Sequence, residues 1–270
     1  MPGLSHVTRE RHGSKVRRLQ RSASVVPMKT AVMWSVVALC VLFLNAASPL
    51  PVQDSDREIL ARVEQRLFDE GLVDVMVDVR DGVVTLSGVV PSLWLKDKAV
   101  QHARKVRHVT RVVDRLTVSR SQGDEALTRQ LADKISASSW YSIFDDVSVR
   151  VTDGVATLAG FVTATDKSRE CAKLARQVLG VQAVINVIET LPASIRDDEL
   201  RYAVANAIYG SPMFLMYANQ MPGPIHIIVR YGRVTLAGVV ASDVERRTAE
   251  MLARGASGVT GVDNQLRVDP

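Results

Sequence analysis

From residue 54 onward the chain runs through one hydrophobic rhythm three times. A helical stripe comes first, with apolar residues every three or four positions: Ile59, Leu60, Val63 and Leu67, then Leu127, Leu131 and Ile135, then Leu200, Val204 and Ile208. Gly71 stops the first stripe and Gly210-Ser211-Pro212 the third. Strict alternation follows, as in Val75, Val77 and Val79 and their return partners Val84, Leu86, Gly88 and Val90. The equivalent pairs are Val147 to Val151 with Val155 to Val162, and Ile225 to Val229 with Val234 to Val240. A second helical pattern (Ser92 to Val106, Thr165 to Leu179, Ser242 to Arg254) and a last strand (Val112 to Val118, Val184 to Leu191, Val262 to Val268) complete each copy. Each copy is predicted to run helix, strand, strand, helix, strand.

The return strands are near copies: DGVVTLSGVV from Asp81, DGVATLAGFV from Asp153 and YGRVTLAGVV from Tyr231. Their lead glycines, Gly82, Gly154 and Gly232, lie 72 and 78 residues apart, which suits three small tandem domains rather than a solenoid. Asp81 and Asp153 read as hairpin chemistry, not catalysis, because Asp-Gly suits a tight turn and Tyr231 replaces the acid in the third copy. The second glycines, Gly88, Gly160 and Gly238, fall inside a strand and are read as room for a packed helix. Ser242 and Glu245 have capping-box spacing.

The predicted domains are 54–120, 124–191 and 195–269, after a leader of residues 1–48. The leader holds Ala31 to Ala47, an apolar stretch after a basic flank, short of the about 20 residues of a comfortable membrane span. It reads as a signal peptide, starting at Met28 and cleaved near Ala46-Ala47-Ser48; left uncleaved it would be an anchor. Cys40 lacks a lipoprotein context, and cleavage would leave Cys171 as the one thiol, a small buried side chain.

Charge changes the picture less than the pI of 9.4 suggests. Seven basic residues and one acid stand in residues 1–48; the rest keeps 27 of the 34 basic and 28 of the 29 acidic residues, a net of −1. Nucleic-acid binding is therefore not expected.

The hairpin pattern G-x-V-x-L-x-G-x-V, a helix, and then G-V-x-x-V-x-N resembles the BON domain of bacterial envelope proteins. The tail is Gly180-Val181, Val184 and Asn186 in copy two, and Gly258-Val259, Val262 and Asn264 in copy three. Copy one departs, with His108-Val109, Val112 and Asp114, so its helix-to-strand turn is expected to close less tightly. The resemblance implies an α+β fold, each αββαβ domain packing two helices on a mixed three-stranded sheet. It also implies a periplasmic or envelope location, association with phospholipid and no enzymatic activity.

The residues point the same way on chemistry. No histidine pair has metal-ligand spacing, and no phosphate loop, nucleophile elbow or dinucleotide fingerprint occurs. No catalytic residue, metal or cofactor is assigned. Three surfaces are candidates for contact. The basic second helix of copy one carries Trp94, Lys96, Lys98, Arg104, Lys105, Arg107 and Arg111, suited to an anionic phospholipid surface. The aromatic run of copy two holds Trp140, Tyr141 and Phe144, and the insertion Tyr209 to Pro224 of copy three holds Met213, Phe214, Leu215, Met216, Tyr217 and Met221. For both, local burial is the simpler expectation, with partner or membrane contact the alternative. The expected function is a non-enzymatic envelope protein on phospholipid surfaces under osmotic or envelope stress. The alternative is a periplasmic protein-interaction or chaperone-like module for envelope proteins.

Overall fold

The computed structural model describes residues 52–220 and 222–269; the leader, with Met28 and Cys40, and Met221 lie outside the described residues. The first repeat is α1 (Val52–Asp69), β1 (Val75–Arg80), β2 (Val83–Val90), α2 (Leu93–Arg104) and β3 (Arg111–Val118). The second is α3 (Asp124–Ser136), β4 (Asp146–Thr152), β5 (Val155–Val162), α4 (Thr165–Gln177) and β6 (Ala183–Thr190). The third is α5 (Ile195–Tyr209), a short 3-10 turn (Pro212–Phe214), α6 (Leu215–Ala218), β7 (Ile225–Arg230), β8 (Arg233–Val240), α7 (Asp243–Gly255), β9 (Gly261–Asn264) and β10 (Arg267–Val268).

Each repeat builds the expected mixed sheet. Its central strand pairs antiparallel with the strand before it and parallel with the strand after its second helix. In the third repeat the last strand is split into β9 and β10, both on β8. Between them Leu266 turns into the core and the Gln265 N–H still reaches the Leu236 carbonyl at 2.8 Å.

Alternation decides which face is buried. In the first repeat Val84, Leu86 and Val90 point to the helices, where Ile59, Val63 and Leu67 of α1 meet them. The second helix approaches through small residues four apart: Ala99 and Ala103, Cys171 and Ala175, Ala249 and Ala253, all fully buried. Cys171 thus fills a position that needs a small apolar side chain, and burial pushes its thiol up to about 11.

The hairpin tips adopt positive φ at both central residues, the conformation whose twist matches the flanking strands. Asp81 and Gly82 stand at 52° and 72°, and Tyr231 and Gly232 at 54° and 78°. A carboxylate from the first helix of each repeat accepts both N–H groups of the tip. Asp56 takes Asp81 and Gly82 at 2.8 and 2.9 Å. Asp124 takes Asp153 and Gly154 at 2.7 and 3.0 Å, and the buried Asp197 takes Tyr231 and Gly232 at 2.8 and 2.9 Å. Three expectations need correction here. Gly88, Gly160 and Gly238 do not make room for a helix: a Cβ would strike the carbonyl oxygen of Asp74, Asp146 or Pro224, just before or at the start of the paired strand, and φ is positive at all three. The helix-to-strand turn of copy one is also as closed as the others, with Thr110 N–H to the Gly82 carbonyl at 2.9 Å. His108 takes the left-handed conformation there at φ 68°, where Gly180 and Gly258 stand at 95°. The Ser242 cap forms at 3.2 Å to the Glu245 N–H, but the Glu245 carboxylate accepts from the Ala241 N–H, one residue upstream of the expected partner.

The repeats share side chains across their joints. Leu93, on α2, is buried in the core of the second repeat, and the Gly180 N–H reaches the Pro91 carbonyl at 3.1 Å. Arg176 of α4 pairs with Asp97 of α2 at 2.6 Å. At the other joint, Ile143 and Phe144 pack against the third core, and the Ile227 N–H meets the Ile143 carbonyl at 2.6 Å.

Gly160→Val is expected to cost about 2–4 kcal/mol, because its Cβ would lie 2.1 Å from the Asp146 carbonyl oxygen at a φ of 119°. An unchanged urea midpoint would contradict this. Asp197→Ala strands two tip amides, one of them buried, and is expected to cost about 2–4 kcal/mol in the same assay. The Asp124 carboxyl is held below its ordinary 3.8 by the Gly154 and Asp153 amides. Its folded value lies below its unfolded one, so its contribution is complete above 3.8 and disappears as pH falls through the depressed value. Asp124→Asn should flatten that acid slope of the urea midpoint, and a slope equal to the parent's would exclude the effect.

Candidate functional site

The basic surface of the first repeat begins with α2, which Ser92 caps through the Leu95 N–H. Its first cations are engaged inside the repeat. Lys96 Nζ lies 3.3 Å from the Asp114 carboxylate and donates to the Leu116 carbonyl, both on β3. Lys98 donates to Glu70, and its ammonium lies 4.4 Å from the centre of the half-buried Trp94 ring. The Lys98 hydrogen bond holds the Glu70 carboxyl below its ordinary 4.5, with His102 Nε2 adding to the cluster at 3.6 Å. Trp94, Lys96 and Lys98 therefore belong to local packing and ion pairing.

The other four candidates differ. Arg104, Lys105, Arg107 and Arg111 are all exposed, at the end of α2 and along the turn into β3. None has a carboxylate partner among the described residues. Cations at a helix C-terminus are favoured by the backbone dipole, which accounts locally for Arg104 and Lys105 but not for Arg111. Arg104 and Arg111 flank a shallow groove of about 280 Å³ floored by Val109 and Val112. Arg107 borders a second groove, of about 380 Å³, together with Arg66 of α1 and the Arg62–Glu58 ion pair of the same helix. Arg66 was not among the sequence candidates because it sits some forty residues from Arg107 and within a mixed-charge helix. This end of the repeat can hold an anionic surface by charge.

The two other candidate surfaces are partly consumed by the fold. Tyr141 Oη accepts from the Val147 N–H at 3.1 Å, and its burial raises the phenol well above its ordinary value. Trp140 meets the Tyr141 ring edge-on at 6.2 Å, and Phe144 meets Tyr202 of α5 at 5.2 Å. The segment is held by Asp145, fully buried and missed in the sequence because two of its three partners, Thr163 and Lys167, lie 18 and 22 residues away. Its carboxylate accepts from Ser142 and Thr163, each through both N–H and hydroxyl at 2.8–3.0 Å, and from Lys167.

The third-repeat insertion divides. Phe214 is fully buried in the core, and Tyr217 Oη donates to the Glu245 carboxylate at 2.9 Å. Met213, Leu215 and Met216 are instead exposed, Met216 by 82%, so general burial of the insertion does not hold. Among the described residues no three His, Cys, Asp or Glu side chains are placed to hold a metal ion, and no helix is long and apolar enough to cross a membrane.

The BON domain family model matches residues 55–120, 123–192 and 214–270. The last match begins after α5, so the third repeat's first helix and most of its insertion's leading edge stand outside it. Osmotically-inducible protein Y of Escherichia coli (strain K12) is 34% identical over 152 residues, which cover 50% of this chain and 72% of that protein. Among solved structures, the C-terminal domain of CdsD, a structural protein of the type III secretion system of Chlamydia trachomatis, overlaps 79% of this chain and 98% of its own at 16% identity and a TM-score of 0.24. The PrgH periplasmic domain overlaps 73% and 95% at 12% identity and a TM-score of 0.22. Overlaps that slight carry no argument about function or arrangement. The three family matches coincide with the sheets and second helices built above, and the chain belongs to the BON domain family.

Proposed function

We propose that this protein works in the bacterial envelope, without enzymatic activity, by associating with anionic phospholipid surfaces through the basic end of its first repeat. The observation that carries this reading is the split among the cations of that region. Lys96 and Lys98 are neutralised by Asp114 and Glu70, while Arg104, Lys105, Arg107 and Arg111 face solvent with no counter-charge among the described residues. Cations near an anionic leaflet contribute about 1 kcal/mol each before screening, so four together make a reversible, salt-sensitive attachment. The likeness to an osmotically inducible protein supports a role when the envelope is under osmotic stress. A second reading rests on the exposed Met213, Leu215 and Met216, an adaptable apolar edge suited to protein partners in the envelope.

Flotation with phosphatidylglycerol vesicles tests the first reading. The parent should float at low ionic strength and sink as salt rises, and a variant with Arg104, Lys105, Arg107 and Arg111 all changed to Gln should stay at the bottom. Equal flotation of the two would end the proposal, and salt-insensitive flotation lost on changing Leu215 and Met216 to Ser would favour the second reading. Lys96→Met should act differently, costing about 0.5–1 kcal/mol of stability in urea unfolding through its lost contacts with Asp114 and the Leu116 carbonyl while leaving flotation intact. Loss of flotation with an unchanged midpoint in that variant would return Lys96 to the membrane surface.

A further inference from the structure

A cleft of about 620 Å³ opens on the joint between the second and third repeats. Small-ligand sites commonly enclose about 300–1,000 Å³. The end of α3 and the loop after it form one wall; α5 with Tyr217, Gln220, Pro222 and Gly223 forms the other. Five rings line it: Tyr141, Phe144, Tyr202, Tyr209 and Tyr217. Three of the four phenol groups are already engaged with the protein. Tyr141 Oη accepts from Val147, Tyr209 Oη donates to the Ile225 carbonyl at 2.7 Å and accepts from its N–H at 3.1 Å, and Tyr217 Oη donates to Glu245. Apart from the Tyr202 hydroxyl and the Tyr141 proton, what these rings have left to offer a ligand is hydrocarbon surface.

The walls are held in place independently of any ligand. Asp145 fixes the segment that carries Phe144, and Gly223 approaches Tyr209 so closely that a Cβ there would lie 2.5 Å from the phenol oxygen. Among the described residues no lining side chain is charged. A charged group entering would lose its hydration without finding a counter-ion, and a peptide would bring backbone amides that ring faces cannot satisfy. Ser139, Asn206 and Gln220 are exposed, and the half-buried Ser138 and Ser142 spend their hydroxyls on the Lys134 carbonyl and the Asp145 carboxylate.

We infer that this cleft binds a single uncharged hydrocarbon chain, the acyl chain of a free fatty acid or of a phospholipid, with any charged head left outside near Ser139 and Gln220. The chain spans two repeats and so fastens the second to the third. This inference goes beyond the basic surface of the first repeat and does not depend on it.

Titration of the full chain with N-phenyl-1-naphthylamine, an uncharged fluorophore, tests the site. Saturable fluorescence is expected, displaced by dodecanol and by lauric acid. Ser139→Trp, at an exposed position, should weaken binding by about tenfold or more by filling the entrance, with the urea midpoint unchanged. Ala205→Phe, from the α5 wall, should do the same, and the Ser139 variant decides alone if the Ala205 variant fails to fold. Absence of saturable binding, equal binding by parent and Ser139→Trp, or displacement by an apolar peptide but not by dodecanol would each overturn the proposal. Mass spectrometry of an organic extract of the protein separates the two sources, since either a fatty acid or a phospholipid at stoichiometric amount supports the site. The variant with Arg104, Lys105, Arg107 and Arg111 changed to Gln should bind the fluorophore as the parent does, so a failed flotation and a failed titration are told apart.

Discussion

A carboxylate on the first helix of each repeat closes on the two amides of the hairpin tip, and the rest of each repeat is arranged around that contact. A tip with positive φ at both residues points two N–H groups away from the ladder, where no strand can accept them. Asp56, Asp124 and Asp197 accept them in pairs, and each contact fixes where the first helix lies along its sheet. Asp124 and Asp197 also stand in the first turn of their helices, where the backbone dipole favours negative charge. Because the clasp uses only backbone donors of the tip, the side chain there is free to vary. That explains how Tyr231 replaces an aspartate without altering the turn.

A second interlock joins the last strand to the second helix, and its chemistry differs between copies. Asn186 and Asn264 accept from the amide two residues on and donate to the backbone of the second helix, at Ser168 and Arg246. Asp114 accepts in the same way, from Leu116, but has no proton to donate. Lys96, at the helix position matching Ser168 and Arg246, supplies the missing donor from its side chain. Asparagine plus a backbone carbonyl has thus been exchanged for aspartate plus lysine. One consequence is that a lysine on a basic helix is no measure of the charge that helix shows to solvent.

That exchange also marks what a sequence can and cannot disclose. Alternation and Asp-Gly placed the hairpins with the observed register, Val77 opposite Leu86 and Val79 opposite Val84, because those signals are local. The αββαβ order follows from the same local signals, whereas the mixed sheet was implied by the family resemblance, since the parallel partner of each central strand lies beyond a helix. The strand glycines were found but given the wrong neighbour: their constraint is a carbonyl on the paired strand, which no periodicity reports. The basic surface was legible as a cluster, but its division into paired and unpaired cations depends on Glu70 and Asp114, 28 and 18 residues from Lys98 and Lys96. The tip clasps and the buried Asp145 network were hidden for the same reason, since single aspartates in mixed-charge segments carry no pattern until the chain folds back on them.

Separation into three copies suggests three independent bodies, yet domains this small bury a lower share of their surface than larger ones and are marginal alone. The joints answer that deficit asymmetrically. The first repeat gives Leu93 to the second core, and the second gives Ile143 and Phe144 to the third. Each repeat therefore completes the next one in the chain, and Leu50–Pro270 forms one unit of contacts. Donation in one direction leaves the basic end of the first repeat free of any such role, so its charges are constrained by neither joint. The residues that complete the third core also wall the cleft beside it, so its shape is tied to the stability of that joint. A surface at one end and a cleft at the other joint can then diverge separately while the hairpins between them stay nearly identical.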